Sequence, residues 1–152
     1  MPFKVNIGVK DGKTFRLESE AEALVGKKIG ETVSGEDIAE SLAGFEFEIM
    51  GTSDKAGFPG LKKVEGIALK KVLLTYGTGM KKKPRKEGKK KGGNLKPKGL
   101  RLKKSVRGNT ISKDTIQINL KVLKQGTKKL EEIFPEQLKK KEEKKEEKKE
   151  AK

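Results

Sequence analysis

Between Lys81 and Arg107 the chain carries a run that no hydrophobic core can absorb. Lys81, Lys82, Lys83, Arg85, Lys86, Lys89, Lys90, Lys91, Lys96, Lys98, Arg101, Lys103, Lys104 and Arg107 stand there against one acid, Glu87. Gly88, Gly92, Gly93 and Gly99, with Pro84 and Pro97, interrupt both helix and strand. The large apolar residues are Leu95, Leu100, Leu102 and Val106. Like charges at this density repel one another, so the segment is expected to be disordered alone and ordered by a polyanion. A folded body therefore has to be built from the residues on either side.

Those residues are electrically balanced. The 152-residue chain has a net charge of +16, and the run from Lys81 to Arg107 supplies most of it. The stretch Lys139 to Lys152 repeats Lys-Lys-Glu-Glu, which stacks Lys141 over Lys145 and Glu142 over Glu146. Such like pairs at i,i+4 oppose a helix, so this tail is expected to be a frayed helix or disordered. The expected division is a body over residues 1–138, containing the basic segment 81–107, and a charged tail over 139–152. A neutral body with one polycationic segment implies a polyanionic partner, nucleic acid before an anionic membrane surface. The segment lacks the apolar face that membrane-surface binding requires.

The body reads as β. Phe3, Val5, Ile7 and Val9 alternate with polar or small residues, as do Phe45, Phe47 and Ile49, and Ile116, Ile118, Leu120 and Val122. Period two means one buried face and one wet face. Asp11-Gly12 predicts a hairpin leading into a strand over Thr14–Leu17. Further strands are expected over Ile67–Tyr76 and Ser105–Ile111, with a turn or bulge at Gly108-Asn109. Ser34 as N-cap, Glu36 and Asp37 in a first turn, Ile38 and Leu42 on one face and Gly44 as C-cap predict a helix. A second short helix is expected from Thr127 to about Phe134, stopped by Pro135. Together these predict a mostly β fold: a small antiparallel β-barrel with one or two short helices, a long basic loop and a charged tail.

Chemistry is constrained by what is missing. There is no cysteine and no histidine, which removes thiolate nucleophiles, imidazole acid–base catalysis and most zinc sites. Asp54 with Glu65, or Asp114 with another acid, are the carboxylate pairs on offer, and nothing in their spacing fixes them together. Lys13-Thr14 after Gly12 lacks the upstream glycine of a phosphate-binding loop. No enzyme activity, cofactor, metal or small-molecule substrate is expected. With neither a signal peptide nor a transmembrane stretch in sight, a cytoplasmic protein without a membrane partner is the expectation.

The binding residues expected are the fourteen cations of the basic segment. Their affinity would come from counterion release at phosphates, and without aromatic residues the segment would follow backbone and shape rather than stack on bases. Lys55 and Phe58, in the loop Gly51 to Gly60, are a secondary contact, weighed against Phe58 simply anchoring that loop.

Three stretches carry a resemblance to a known family. They are Thr52-Ser53-Asp54-Lys55-Ala56-Gly57-Phe58-Pro59, then Lys98-Gly99-Leu100-Arg101-Leu102-Lys103-Lys104-Ser105-Val106-Arg107-Gly108-Asn109, and the strand Asp114 to Val122 with its exit Lys124-Gln125-Gly126. With Met1 to Val9 they make residues 1–135 similar to the small-subunit ribosomal protein S-six of the eukaryotic and archaeal type. The resemblance implies a β-barrel-like structural protein of the small ribosomal subunit. Its partners would be ribosomal RNA and neighbouring ribosomal proteins, and its role would lie in subunit assembly and translation. Thr52 stands where many relatives have glycine. The serine-bearing C-terminal extension of the eukaryotic branch is replaced by the Lys/Glu tail, so the chain resembles the short archaeal form. A free RNA chaperone outside the ribosome is the alternative reading.

Overall fold

The computed structural model describes residues 2–80, 99–126, 130–135 and 137. β1 (Phe3–Gly8) and β2 (Thr14–Ser19) form the expected hairpin. It turns at Gly12, whose φ of 80° is a region that side chains disfavour. Along β1 the alternation resolves as read: Phe3, Val5 and Ile7 are buried while Lys4 faces water.

β7 (Thr115–Lys124) organises the main sheet. It pairs with β1 on one side and with β4 (Glu46–Asp54) on the other, and β4 in turn carries the short β3 (Thr32–Ser34). The order is β2-β1-β7-β4-β3. Ile118, Leu120 and Val122 of β7 face the same core as Phe47 and Ile49 of β4. Fully burying each such side chain contributes about 1.5–3 kcal/mol.

The structure corrects the expected barrel. The five-stranded sheet is open, with β2 and β3 as its outer strands, and β1 pairs with β7 in parallel rather than antiparallel. β5 (Leu69–Leu74) and β6 (Leu102–Arg107) do not close it, because they pair with each other in a separate two-stranded sheet. The mostly β reading stands, but closure is a pairing choice that alternation alone cannot decide.

The helix expected from Ser34 is also corrected. Ser34 ends β3, and the segment holds only a 3-10 turn at Glu40–Leu42. Gly35 lies so close to Leu42 that a Cβ there would fall 1.8 Å from the Leu42 carbonyl oxygen. Ala39 is extended, with φ −161° and ψ 144°, which breaks any continuous helix. Ile38 and Leu42 are nonetheless both buried, so the apolar spacing marked the right residues in the wrong backbone.

After β7 the chain turns back over the first hairpin. α1 (Leu130–Ile133) buries Leu130, and Phe134 stacks on Phe15 with ring centroids 5.7 Å apart. Lys13 pairs with Glu131. The amide of Gln137 donates to the Arg16 carbonyl at 2.6 Å and accepts from the Arg16 N–H at 2.8 Å, so it occupies part of the outer edge of β2. Thr127, the expected start of this helix, and the tail 139–152 lie outside the described residues.

Candidate nucleic-acid interface

The β5–β6 hairpin forms a sheet separate from the main one, and Val64, Met80 and its own Val106 are buried without belonging to the main core. Its inward face presents Val72, Leu74, Leu102 and Val106, more buried than the outward Leu69, Lys71, Leu73 and Lys103. β6 begins earlier and ends sooner than the sequence suggested. It stops at Arg107 because Gly108 passes against the backbone of Gly66: a Cβ at Gly108 would lie 1.7 Å from the Gly66 carbonyl oxygen.

All three of the stretches that carried the resemblance meet at this junction. The Arg107 guanidinium donates through Nε to Asp54 Oδ2 at 2.8 Å, through Nη1 to the Ile67 carbonyl at 3.2 Å and through Nη2 to Asp114 Oδ2 at 3.4 Å. The Asp54 side chain is 6% exposed and that of Arg107 24%. Hydrogen bonding to Asp54 pushes the Arg107 pKa further above its already high value, so this cation stays charged. Asn109 continues the junction, donating its N–H to the Val64 carbonyl at 2.7 Å and accepting from Ile29 N–H at 2.9 Å. Gly60 fits only because it has no side chain, since a Cβ there would meet Thr52 Oγ1 at 2.2 Å.

This geometry sorts the fourteen expected cations. Arg107 is committed to internal acceptors. Asp54 and Asp114, weighed as candidate catalytic carboxylates, converge on Arg107, which neutralises them; Glu65 is not part of this group. Arg101, Lys103 and Lys104 are exposed on or beside β6. Lys81, Lys82, Lys83, Arg85, Lys86, Lys89, Lys90, Lys91, Lys96 and Lys98 lie outside the described residues. In the secondary loop, Lys55 is exposed and Phe58 is half-buried. The Phe58 carbonyl accepts from Asp54 N–H at 2.9 Å, which closes the backbone of that loop.

The fold adds cations that the sequence reading missed. Lys70 and Lys71 of β5 pair in register with Val106 and Ser105 of β6, beside Lys104 and Lys103. The pleat puts Lys71 and Lys103 on one face and Lys70 and Lys104 on the other, each pair diagonal at about 7 Å. No ion pair among the described residues engages these four. Lys62 and Lys63 are exposed on the neighbouring loop. A charge count over the whole body averaged these doublets against distant acids; the local pairs Lys62-Lys63 and Lys70-Lys71 were the signal available. Uncompensated like charges on a two-stranded scaffold repel one another, and a polyanion laid across them relieves that repulsion.

Among the described residues no group of three or more His, Cys, Asp or Glu side chains could hold a metal ion. No helix among them is long and apolar enough to cross a membrane.

Residues 3–135 match the model of the family described as ribosomal protein S6e. The chain is 42% identical over 128 residues to the small ribosomal subunit protein eS6 of Methanococcus maripaludis strain C7, covering 84% of this chain and 91% of that relative. It is 41% identical to the protein of the same description from Methanosphaera stadtmanae, and 39% identical to that from Archaeoglobus fulgidus. Each of these two alignments covers 94% of this chain and 100% of the relative. With nearly the whole folded body matched, the chain belongs to the ribosomal protein S6e family.

Proposed function

We propose that this protein is a structural constituent of the small ribosomal subunit. In this reading it binds ribosomal RNA through the cations on and beyond the β5–β6 hairpin, and it supports subunit assembly and translation in the cytoplasm. The observation that carries the proposal is the family match over residues 3–135, joined to relatives that the chain covers almost end to end. The arrangement of charge supports it: Lys70, Lys71, Lys103 and Lys104 stand without ion-pair partners among the described residues, at the root of a run with ten further cations.

The RNA contact is assigned to Arg101, Lys103 and Lys104, extended by Lys70 and Lys71 and by the cations from Lys81 to Lys98. Arg107 holds the hairpin in place instead of touching phosphate. Lys55, exposed at the tip of its loop, is a secondary contact. Neighbouring ribosomal proteins complete the set of partners. Mass spectrometry of salt-washed small subunits is expected to find the protein at one copy per subunit. Recovery only in the free cytoplasmic fraction of a gradient would favour an RNA chaperone outside the ribosome.

A further inference from the structure

Beside the hairpin lies an open groove unlike the rest of the cationic surface. Leu61, Val72 and Leu74, each partly exposed, give it an apolar floor. Tyr76 and Met50 line its sides and are 42% and 54% exposed. Lys62, Lys63 and Arg101 stand around it, all exposed, and Glu48 contributes the one carboxylate of the lining. A phosphate-tracking surface needs cations alone. An apolar floor with an aromatic side and a cationic rim fits a flat ring attached to a phosphate.

We propose that this groove is a binding site for a single unpaired RNA nucleotide, whose base stacks on Tyr76 over the apolar floor while its flanking phosphates meet Lys62, Lys63 and Arg101. Glu48 Oε atoms accept from an exocyclic amine, which favours adenine, cytosine or guanine over uracil. Three cations against one carboxylate in the lining favour a phosphate-bearing ligand, and the aromatic ring beside them favours one that also carries a base. The site rests on the RNA-binding reading above and extends it, because it recognises an extruded base where the hairpin follows a duplex backbone.

The chain itself provides the probe. Tyr76 is its one tyrosine and there is no tryptophan, so tyrosine emission of the full-length protein reports on this groove alone. Two RNA hairpins serve as ligands, one fully paired and one identical except for a bulged adenosine. The bulged RNA is expected to quench Tyr76 emission saturably and to bind tighter than the paired one. Tyr76→Leu is expected to remove that preference, costing about tenfold in affinity for the bulged RNA and nothing for the paired RNA. Tyr76→Phe, which keeps the ring, is expected to retain it. Equal affinities and unchanged emission, at concentrations where the paired RNA is bound, overturn the assignment and leave the groove to a protein neighbour. Absence of binding to either RNA overturns the groove together with the RNA reading it rests on.

Discussion

At Arg107 a residue of the basic run fastens three segments of the folded body together. Its three donors are satisfied by Asp54, Ile67 and Asp114, and the Asp54 carboxylate it holds is almost wholly buried. Removing one partner of such a pair strands the other. Asp54→Asn is therefore expected to destabilise the protein by about 2 kcal/mol, read as a lowered thermal midpoint. It should also weaken RNA binding while leaving the salt slope intact. Simple electrostatics predicts the opposite, since the substitution removes a negative charge from a protein proposed to bind a polyanion. Tighter binding with an unchanged melt would show that Arg107 does not orient the hairpin. The sequence named all three residues, but only as a loop acid, a basic-run member and a strand-flanking acid. Residues 53 positions apart declare their partnership only when the chain has folded.

The β5–β6 hairpin and the C-terminal return illustrate two kinds of element. In the hairpin, strand register decides which lysines share a face, and none of Lys70, Lys71, Lys103 and Lys104 is drawn off by an acid among the described residues. Replacing Arg101, Lys103 and Lys104 by glutamine is expected to flatten the slope of log K against log salt by about 2 to 3 units. The melt should stay as it was, because these side chains are exposed. Arg107→Gln should leave that slope alone, and a slope that also falls by about one unit would return Arg107 to the phosphate contacts. At the other end, α1 and Gln137 cover β2. Gln137→Ala forfeits two hydrogen bonds to the Arg16 backbone and is expected to cost about 1 kcal/mol, or a midpoint about 3 °C lower. Truncation immediately after Gln137 should shift the midpoint by less than that, since the like-charge stacking of the Lys/Glu repeat gives it no apolar face to dock. A larger drop on truncation would mean that the tail packs on the body.

For the molecule as a whole, stability is divided between two sheets of unequal support. The five-stranded sheet encloses the main core, whereas the hairpin rests on Val64, Met80, Val106 and the Asp54–Arg107–Asp114 junction. Hydrogen exchange followed by mass spectrometry is expected to show β5 and β6 opening more readily than β1, β4 and β7. Asp54→Asn should accelerate exchange in the hairpin far more than in β1 or β7, and uniform acceleration would mean that the two sheets open as one unit. Period-two alternation determined the faces of β1, β4 and β7 from sequence alone, since a strand with one apolar face has one way to bury it. The density of cations likewise marked the run of lysines and arginines that begins at Lys81 as poor core material. The tertiary structure decided what depends on pairing across distance: an open sheet in place of a barrel, a parallel β1–β7 contact, and a tight turn where Ser34 to Gly44 spelled a helix. It also joined Arg107 to Asp54 and Asp114 and set Tyr76 in one groove with Lys62, Lys63 and Arg101. Local sequence specifies which side of an element is apolar; which elements meet, and which charges are consumed inside, follows from long-range packing that no local pattern encodes.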